Sequence, residues 1–236
     1  MSRQRVAILG GSAVLTLVVL VGWFVVDRSG DDGPSGPPPK AADKVVMAQG
    51  SDTEPDADWV TQTAADRLIP RRAMLAYAYT EIASRTAHPR CHLRWNTIAA
   101  IGSVESAHGT LGGAGLTESG LPDKPIIGPA LDGTNGTRAI EATEESTQFH
   151  GDEEWDHAVG PFQFLTSSWE LYGEDADGDG DDDPFDIDDA AMGAANHLCD
   201  DDRDLSGDGW VPAVYAYNNS MAYVKKVRSI ATSFAD

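Results

Sequence analysis

The feature that most constrains this chain is the run from Val6 to Val26, twenty-one residues without a charged side chain, preceded by Arg3 and Arg5 and closed by Asp27 and Arg28. As a helix rising about 1.5 Å per residue, such a run matches a hydrocarbon layer about 30 Å thick. The two arginines then mark the cytoplasmic side, and everything after the run lies outside the cytoplasm. A cleaved signal peptide is the alternative, but its apolar region is typically about 7–15 residues long and followed by small residues of the A-x-A type. Here the run ends in Gly22-Trp23-Phe24-Val25-Val26, which favours a retained anchor, and no cysteine follows it to carry a lipid. Residues 1–28 are therefore expected to be a cytoplasmic tip and single-pass transmembrane helix at the cell membrane.

Residues 29–57 are rich in Gly, Pro and Asp, including Pro37-Pro38-Pro39, and read as a flexible linker that gives reach above the membrane. Residues 58–236 hold enough apolar sequence for one cored domain and too little for two large ones. The formal net charge of −21 leaves no basic stripe for a phosphate backbone, which disfavours nucleic acid as a partner. Both cysteines, Cys91 and Cys199, fall in the exported part, where an oxidising compartment favours a disulfide joining them.

The pattern from Asp58 onward is all-α. The spacing predicts a helix over 71–87, with Pro70 at its start and Pro89 past its end, and a second from Asn96 or Thr97 to His108, ended by Gly109. Shorter helices are expected over 161–172, 188–198, 211–218 and 222–234. Residues 110–156 read as a long loop anchored by scattered apolar residues, a candidate cleft wall.

In the second helix, counting about 100° per residue from Ile98, Ile101 falls at about 300° and Glu105 at about 340°, on the apolar stripe. A carboxyl group placed among apolar neighbours has its pKa raised, the condition for holding a proton near neutral pH and delivering it. A buried glutamate paired with an arginine, or a surface residue on a rotated helix, would account for the same pattern.

Glu105 also lies within a wider constellation. Gly102–Gly109 reads GSVESAHG, Ala158–Phe164 reads AVGPFQF and Tyr217–Ser220 reads YNNS, in that order. Together these motifs resemble the lytic transglycosylases, in particular the membrane-bound lytic murein transglycosylase B type and its actinobacterial relatives. The resemblance covers roughly residues 68–227 and implies a lysozyme-like fold. It implies cleavage of the β-1,4 bond between N-acetylmuramic acid and N-acetylglucosamine in peptidoglycan glycan strands, with Glu105 as the single acid/base and a 1,6-anhydro product. Gly160 would turn the chain beside the sugar, Gln163 would offer its amide to substrate, and Tyr217 and Asn218 would lie near the catalytic carboxyl. Phe162 stands where methionine is commoner in the family. The competing readings are a plain helix start at 161–164 and a helix-ending role for Asn218. At the level of function, the alternatives are a hydrolase of the same bond and a non-catalytic wall-binding domain.

The segment Asp175–Asp186, DADGDGDDDPFD, has the rhythm of an EF-hand loop: carboxylates Asp175, Asp177 and Asp179 at positions 1, 3 and 5, and Gly180 at 6. Asp181 would offer its carbonyl at position 7 and Asp186 stands at 12. Alternating carboxylates converge on a hard cation, so a structural Ca²⁺ is expected, with a merely solvated acidic loop as the alternative. The family resemblance adds Asp189 as a further ligand candidate.

Overall fold

The structure is a computed structural model that describes residues 34–134 and 136–236. Among these residues eight α-helices and no strand occur, so the domain is all-α as expected. They are α1 Ala57–Arg67, α2 Arg71–Ala87, α3 Trp95–Ser106, α4 Glu144–His150, α5 Thr166–Tyr172, α6 Ile187–Cys199, α7 Trp210–Tyr217 and α8 Met221–Phe234. None of these helices is long and apolar enough to cross a membrane. The apolar run expected to be an anchor lies outside the described residues.

α3 is the central element. It carries Ile98, Ala99, Ala100 and Ile101 with no exposed surface, and packs against α2 on one side and α8 on the other. Burying each of the two isoleucines contributes about 1.5–3 kcal/mol. α2 in turn packs on α1 and α6, and the core runs on through Met74, Tyr77, Phe162, Leu198 and Trp210. α2 and α3 approach closely at Gly102, where an added Cβ would stand 2.5 Å from the Tyr77 hydroxyl oxygen. Glycine is therefore required in the middle of α3 despite its cost there.

Cys91 and Cys199 form a disulfide, with Cα atoms 5.4 Å apart, that joins the segment between α2 and α3 to the end of α6. It spans 108 residues of sequence. A loop of that size corresponds to about 4–5 kcal/mol in the chain-entropy model.

Three expectations change. The part of the linker nearest the domain is docked: Ala42 and Val45 are buried, the Val45 N–H donates to Glu81, and Trp95 and Asn96 donate from their side chains to the carbonyls of Asp43 and Lys40. Composition suggests a free tether because it cannot register that the folded domain supplies donors and an acceptor for this backbone. The helix expected over 161–172 begins only at Thr166, because residues 160–163 form a tight turn closed by reciprocal bonds between Val159 and Phe164 of 2.8 and 2.9 Å. The loop over 110–156 contains α4, started by a reciprocal capping pair between Thr143 and Ser146. Elsewhere that loop is pinned by isolated bridges, among them Ile127 to Val159 and Glu141 to Trp155.

Candidate active site

Glu105 sits in the last turn of α3 and is 8% exposed. Its Oε1 accepts a hydrogen bond of 2.5 Å from the Tyr223 hydroxyl on α8. Burial pushes its carboxyl up from the usual 4.5 to about 7, and the Tyr223 bond and the Lys226 ammonium only partly oppose this. The negative end of the α3 dipole also disfavours an ionised group in this turn. No other carboxylate is among the groups that act on it. The side chain is held by a donor and remains protonated for much of the population at neutral pH.

The other motifs are tied to this end of α3 through Ser106 and Tyr217. Tyr217, at the end of α7, donates to the Phe162 carbonyl at 2.8 Å and so ties the 160–163 turn to α7. Burial, and then the Glu105 charge, raise the Tyr217 phenol well above its usual value, so it is a permanent donor. Ser106, next to Glu105, donates to the Pro161 carbonyl at 2.6 Å and accepts from the Gly109 N–H at 2.7 Å. The serine of the first motif thus fastens α3 to the second motif.

Gly160 has φ +75, and a Cβ there would lie 1.8 Å from the Pro184 carbonyl oxygen, so no other residue fits. That approach joins the turn to the end of the acidic loop. Gln163 also has a left-handed backbone, φ 51, and its Nε2 donates to the Gly160 carbonyl at 3.1 Å. Its Oε1 is buried without a partner among the described residues, as is the Oδ1 of Asn218. Such orphaned acceptors are uncommon in a folded protein, and because both are buried a ligand N–H reaches them only when the side chain moves. The α7 end is closed by the backbone N–H of Asn218, which bonds to Val214 at 3.1 Å, so capping does not occupy its side chain.

Three residues at the site were not found by sequence reading. Tyr223 belongs to no motif; its only sequence signal is its place one helical start beyond the Tyr217-Asn218 motif. His197 and Tyr172 extend an aromatic row from Tyr217: ring centroids are 5.2 Å apart for Tyr217 and His197, and 4.4 Å apart for His197 and Tyr172, which stack at 15°. Burial, with Arg203 nearby, lowers His197 to about 4, leaving its ring neutral. All three rings are partly exposed.

The acidic loop gathers its carboxylates into two overlapping groups, Asp175 with Asp177 and Asp189, and Asp177 with Asp186 and Asp188, the oxygens of each group lying within 4.8 Å of one another. An all-oxygen carboxylate set suits a hard cation such as Ca²⁺. Asp179 and Asp181 stand outside both groups; the Asp179 carboxylate accepts from the Asp181 N–H at 3.0 Å. Asp186 caps α6 through the Asp188 N–H at 2.7 Å. Asp189 accepts from the Ala176 and Asp183 N–H groups and so closes the loop on α6. Chiefly through burial, Asp186 is raised to about 7 and Asp189 to about 6.

No known protein family, characterised protein or solved structure matches this chain.

Proposed function

We propose that the chain is a peptidoglycan lytic transglycosylase with a lysozyme-like fold, cleaving the bond between N-acetylmuramic acid and N-acetylglucosamine with Glu105 as its only acid/base. The observation that carries this reading is a buried carboxyl whose pKa is raised to about 7, with no carboxylate among the groups that act on it. Glycosidases that use a carboxylate pair need a second group about 5–10 Å away as nucleophile or base. A lone acid suits a reaction in which the substrate supplies the nucleophile.

In the first step Glu105 gives its proton to the glycosidic oxygen, the bond to the anomeric carbon of muramic acid breaks, and N-acetylglucosamine leaves as an alcohol. The substrate's own N-acetyl oxygen supports the positive charge at that carbon. The Glu105 carboxylate, held by Tyr223, then takes the proton from the C6 hydroxyl as that oxygen bonds to the anomeric carbon. The 1,6-anhydro ring closes, and Glu105 is again protonated without water being consumed. The acceptors Asn218 Oδ1 and Gln163 Oε1 suit acetamido N–H groups of the sugars. The row Tyr217, His197 and Tyr172 offers partly exposed aromatic edges to the sugars.

Purified cell walls digested by the chain test this directly. Anhydromuramic ends are expected in the released fragments, whereas reducing muramic ends would mean that water completes the reaction and would sink the transglycosylase reading. In this proposal the domain works outside the cytoplasm, tethered by the N-terminal apolar run, a setting in which the disulfide persists. Asp175, Asp177 and Asp189 would hold a structural Ca²⁺ that pins the loop behind Gly160. Addition of a chelator is expected to lower Tm by several degrees, and an unchanged melting curve would remove the cation from the proposal.

A further inference from the structure

Two histidines on the long loop, in ring contact with each other, make opposite hydrogen-bond demands. His157 places Nδ1 2.7 Å from the Gly128 carbonyl oxygen and Nε2 3.1 Å from Asp152 Oδ2. Both partners are acceptors, since the Asp152 carboxyl is held down at about 2 by the Glu154 N–H first and then by His157 itself. Only a ring protonated on both nitrogens donates to both. His150, the last residue of α4, is the reverse case. Its Nδ1 accepts the Asp152 N–H at 3.1 Å, which leaves Nε2 to donate to Asp156 Oδ1 at 3.2 Å. That ring keeps both bonds only when it is neutral. The two ring centroids are 4.7 Å apart, so a proton added to His150 would also set a second cation against His157.

The other charged groups around the pair are acids. Glu153 and Glu154 share its shallow surface pocket, and no lysine or arginine lines that pocket among the described residues. α4 adds Glu144 and Glu145 in its first turn, at the end away from His150. Of the segments that pair with residues 154–160, Ile126, Ile127 and Gly128 carry no titratable side chain, Asp132 accepts from Thr134, and Glu141 is exposed.

These contacts reach the candidate cleft. The Gly128 N–H bonds to the Ala158 carbonyl and the Gly160 N–H to the Ile126 carbonyl, each at 2.8 Å. The segment that His157 grips therefore runs beside the turn that carries Gln163, and a Cβ on Gly128 would stand 2.7 Å from Gln163 Oε1.

We propose that His150 and His157 form a proton-counting latch on this wall, closed when the pair carries one charge, on His157, and opened by loss of that proton or by gain of a second on His150. Loss turns a ring lone pair toward the Gly128 carbonyl or the Asp152 carboxylate, and gain breaks the bond from the Asp152 N–H. The His157 contacts stabilise the wall at lower pH and are lost as pH rises; the His150 contacts are lost as pH falls. The latch is strongest between the two titrations, in the range of about pH 5 to 8 where imidazoles change charge. It stands on these contacts and not on the reading of Glu105.

Ring-nitrogen NMR of the histidine-labelled full chain in mild detergent tests it. At about pH 6.5, where a free imidazole is half charged, His157 is expected to carry a proton on both ring nitrogens and His150 on Nε2 alone. Amide exchange at Gly128 and Gly160, corrected for its intrinsic pH dependence, is expected to be slow there and at least about fivefold faster at about pH 9. The same rise is expected for the Asp152 amide at about pH 4. His157→Phe is expected to exchange fast at Gly128 at every pH, with no alkaline step, and the wild-type readouts decide the matter without it. Two rings each half charged at about pH 6.5, a corrected exchange rate at Gly128 that is flat with pH, or a His157→Phe variant that exchanges as slowly as the wild type would overturn the proposal.

Discussion

Two buried glutamates stand at opposite ends of α3 and have opposite surroundings. Glu81, on α2, is fully buried beside the N-terminus of α3, where its Oε2 accepts the Trp95 N–H at 2.8 Å. Its Oε1 takes the Arg85 guanidinium at 2.7 Å and the Val45 N–H at 3.2 Å, with Arg94 at 3.6 Å. Among the described residues Glu105, in the last turn of the same helix, has one hydroxyl donor and no salt bridge within 4 Å. A helix favours an anion at its first turn and disfavours one at its last. The same residue type therefore ties three segments together in one place and has its pKa raised in the other. Burial alone does not set the chemistry of a carboxyl; the supply of partners does.

The comparison breaks most sharply at activity. Glu105→Gln is expected to lower fragment release from purified cell walls by about 10²–10⁴-fold, the usual range for a general acid. Glu81→Gln, assayed at equal amounts of folded protein, is expected to stay within about threefold of the wild type, since Glu81 touches no reacting atom. Equal losses in the two variants would mean that Glu105 is structural as well.

Stability reverses the order. Glu81→Ala leaves Arg85 and Arg94 facing an empty pocket and unties the docked segment around Val45, at a cost of about 3–5 kcal/mol, as for a broken buried pair. For a domain of this size that corresponds to a fall in Tm of about 10 °C. A fall of only a degree or two would show that the network contributes little beyond its own desolvation.

These two glutamates also mark what was legible in the sequence. Glu105 was visible because the helical spacing places it between Ile98 and Ile101, and the structure buries this helix on nearly every face. α2 was legible to the residue because Pro70 and Pro89 bracket it. Glu81 was not visible, since its partners come from residues 45, 85, 94 and 95, and no local pattern reports a meeting of separated segments. The docked stretch before α1 was missed for the same reason. The turn at Gly160 was legible, but its continuation over 161–163 was not, because Gln163 adopts a left-handed backbone that its residue type rarely takes. In the acidic loop the alternating carboxylates were plain, but which of them converge depended on how α6 folds back, and this favours Asp189 over Asp179.

The pH dependence of stability sharpens the comparison at smaller scale. The folded-state pKa of Glu105 lies above its usual 4.5, so its contribution to stability is full at acid pH and is lost as pH rises through about 7. Glu105→Gln has no such loss. The variant is expected to match the wild type at pH 5 and to exceed it by about 1–3 kcal/mol at pH 8. Denaturant melts at the two pH values measure this difference, and wild-type and variant curves that run parallel would remove the raised pKa from the account.

The smallest expected effect isolates the one donor that Glu105 has. Tyr223 stabilises the ionised form of the carboxyl, so Tyr223→Phe removes a bond of about 1.5–3 kcal/mol to a charged group and raises the Glu105 pKa further. As an acid Glu105 then stays protonated to higher pH, and the alkaline limb of the pH–rate profile is expected to move upward by about one pH unit. The turnover rate at the optimum is expected to fall by about tenfold, because the carboxyl loses the bond that orients it for the second proton transfer. KM should change little, since the hydroxyl's hydrogen bond goes to Glu105. A merely structural tyrosine would lower Tm and leave the profile in place; that outcome would return Tyr223 to the core and leave Glu105 without a positioning partner.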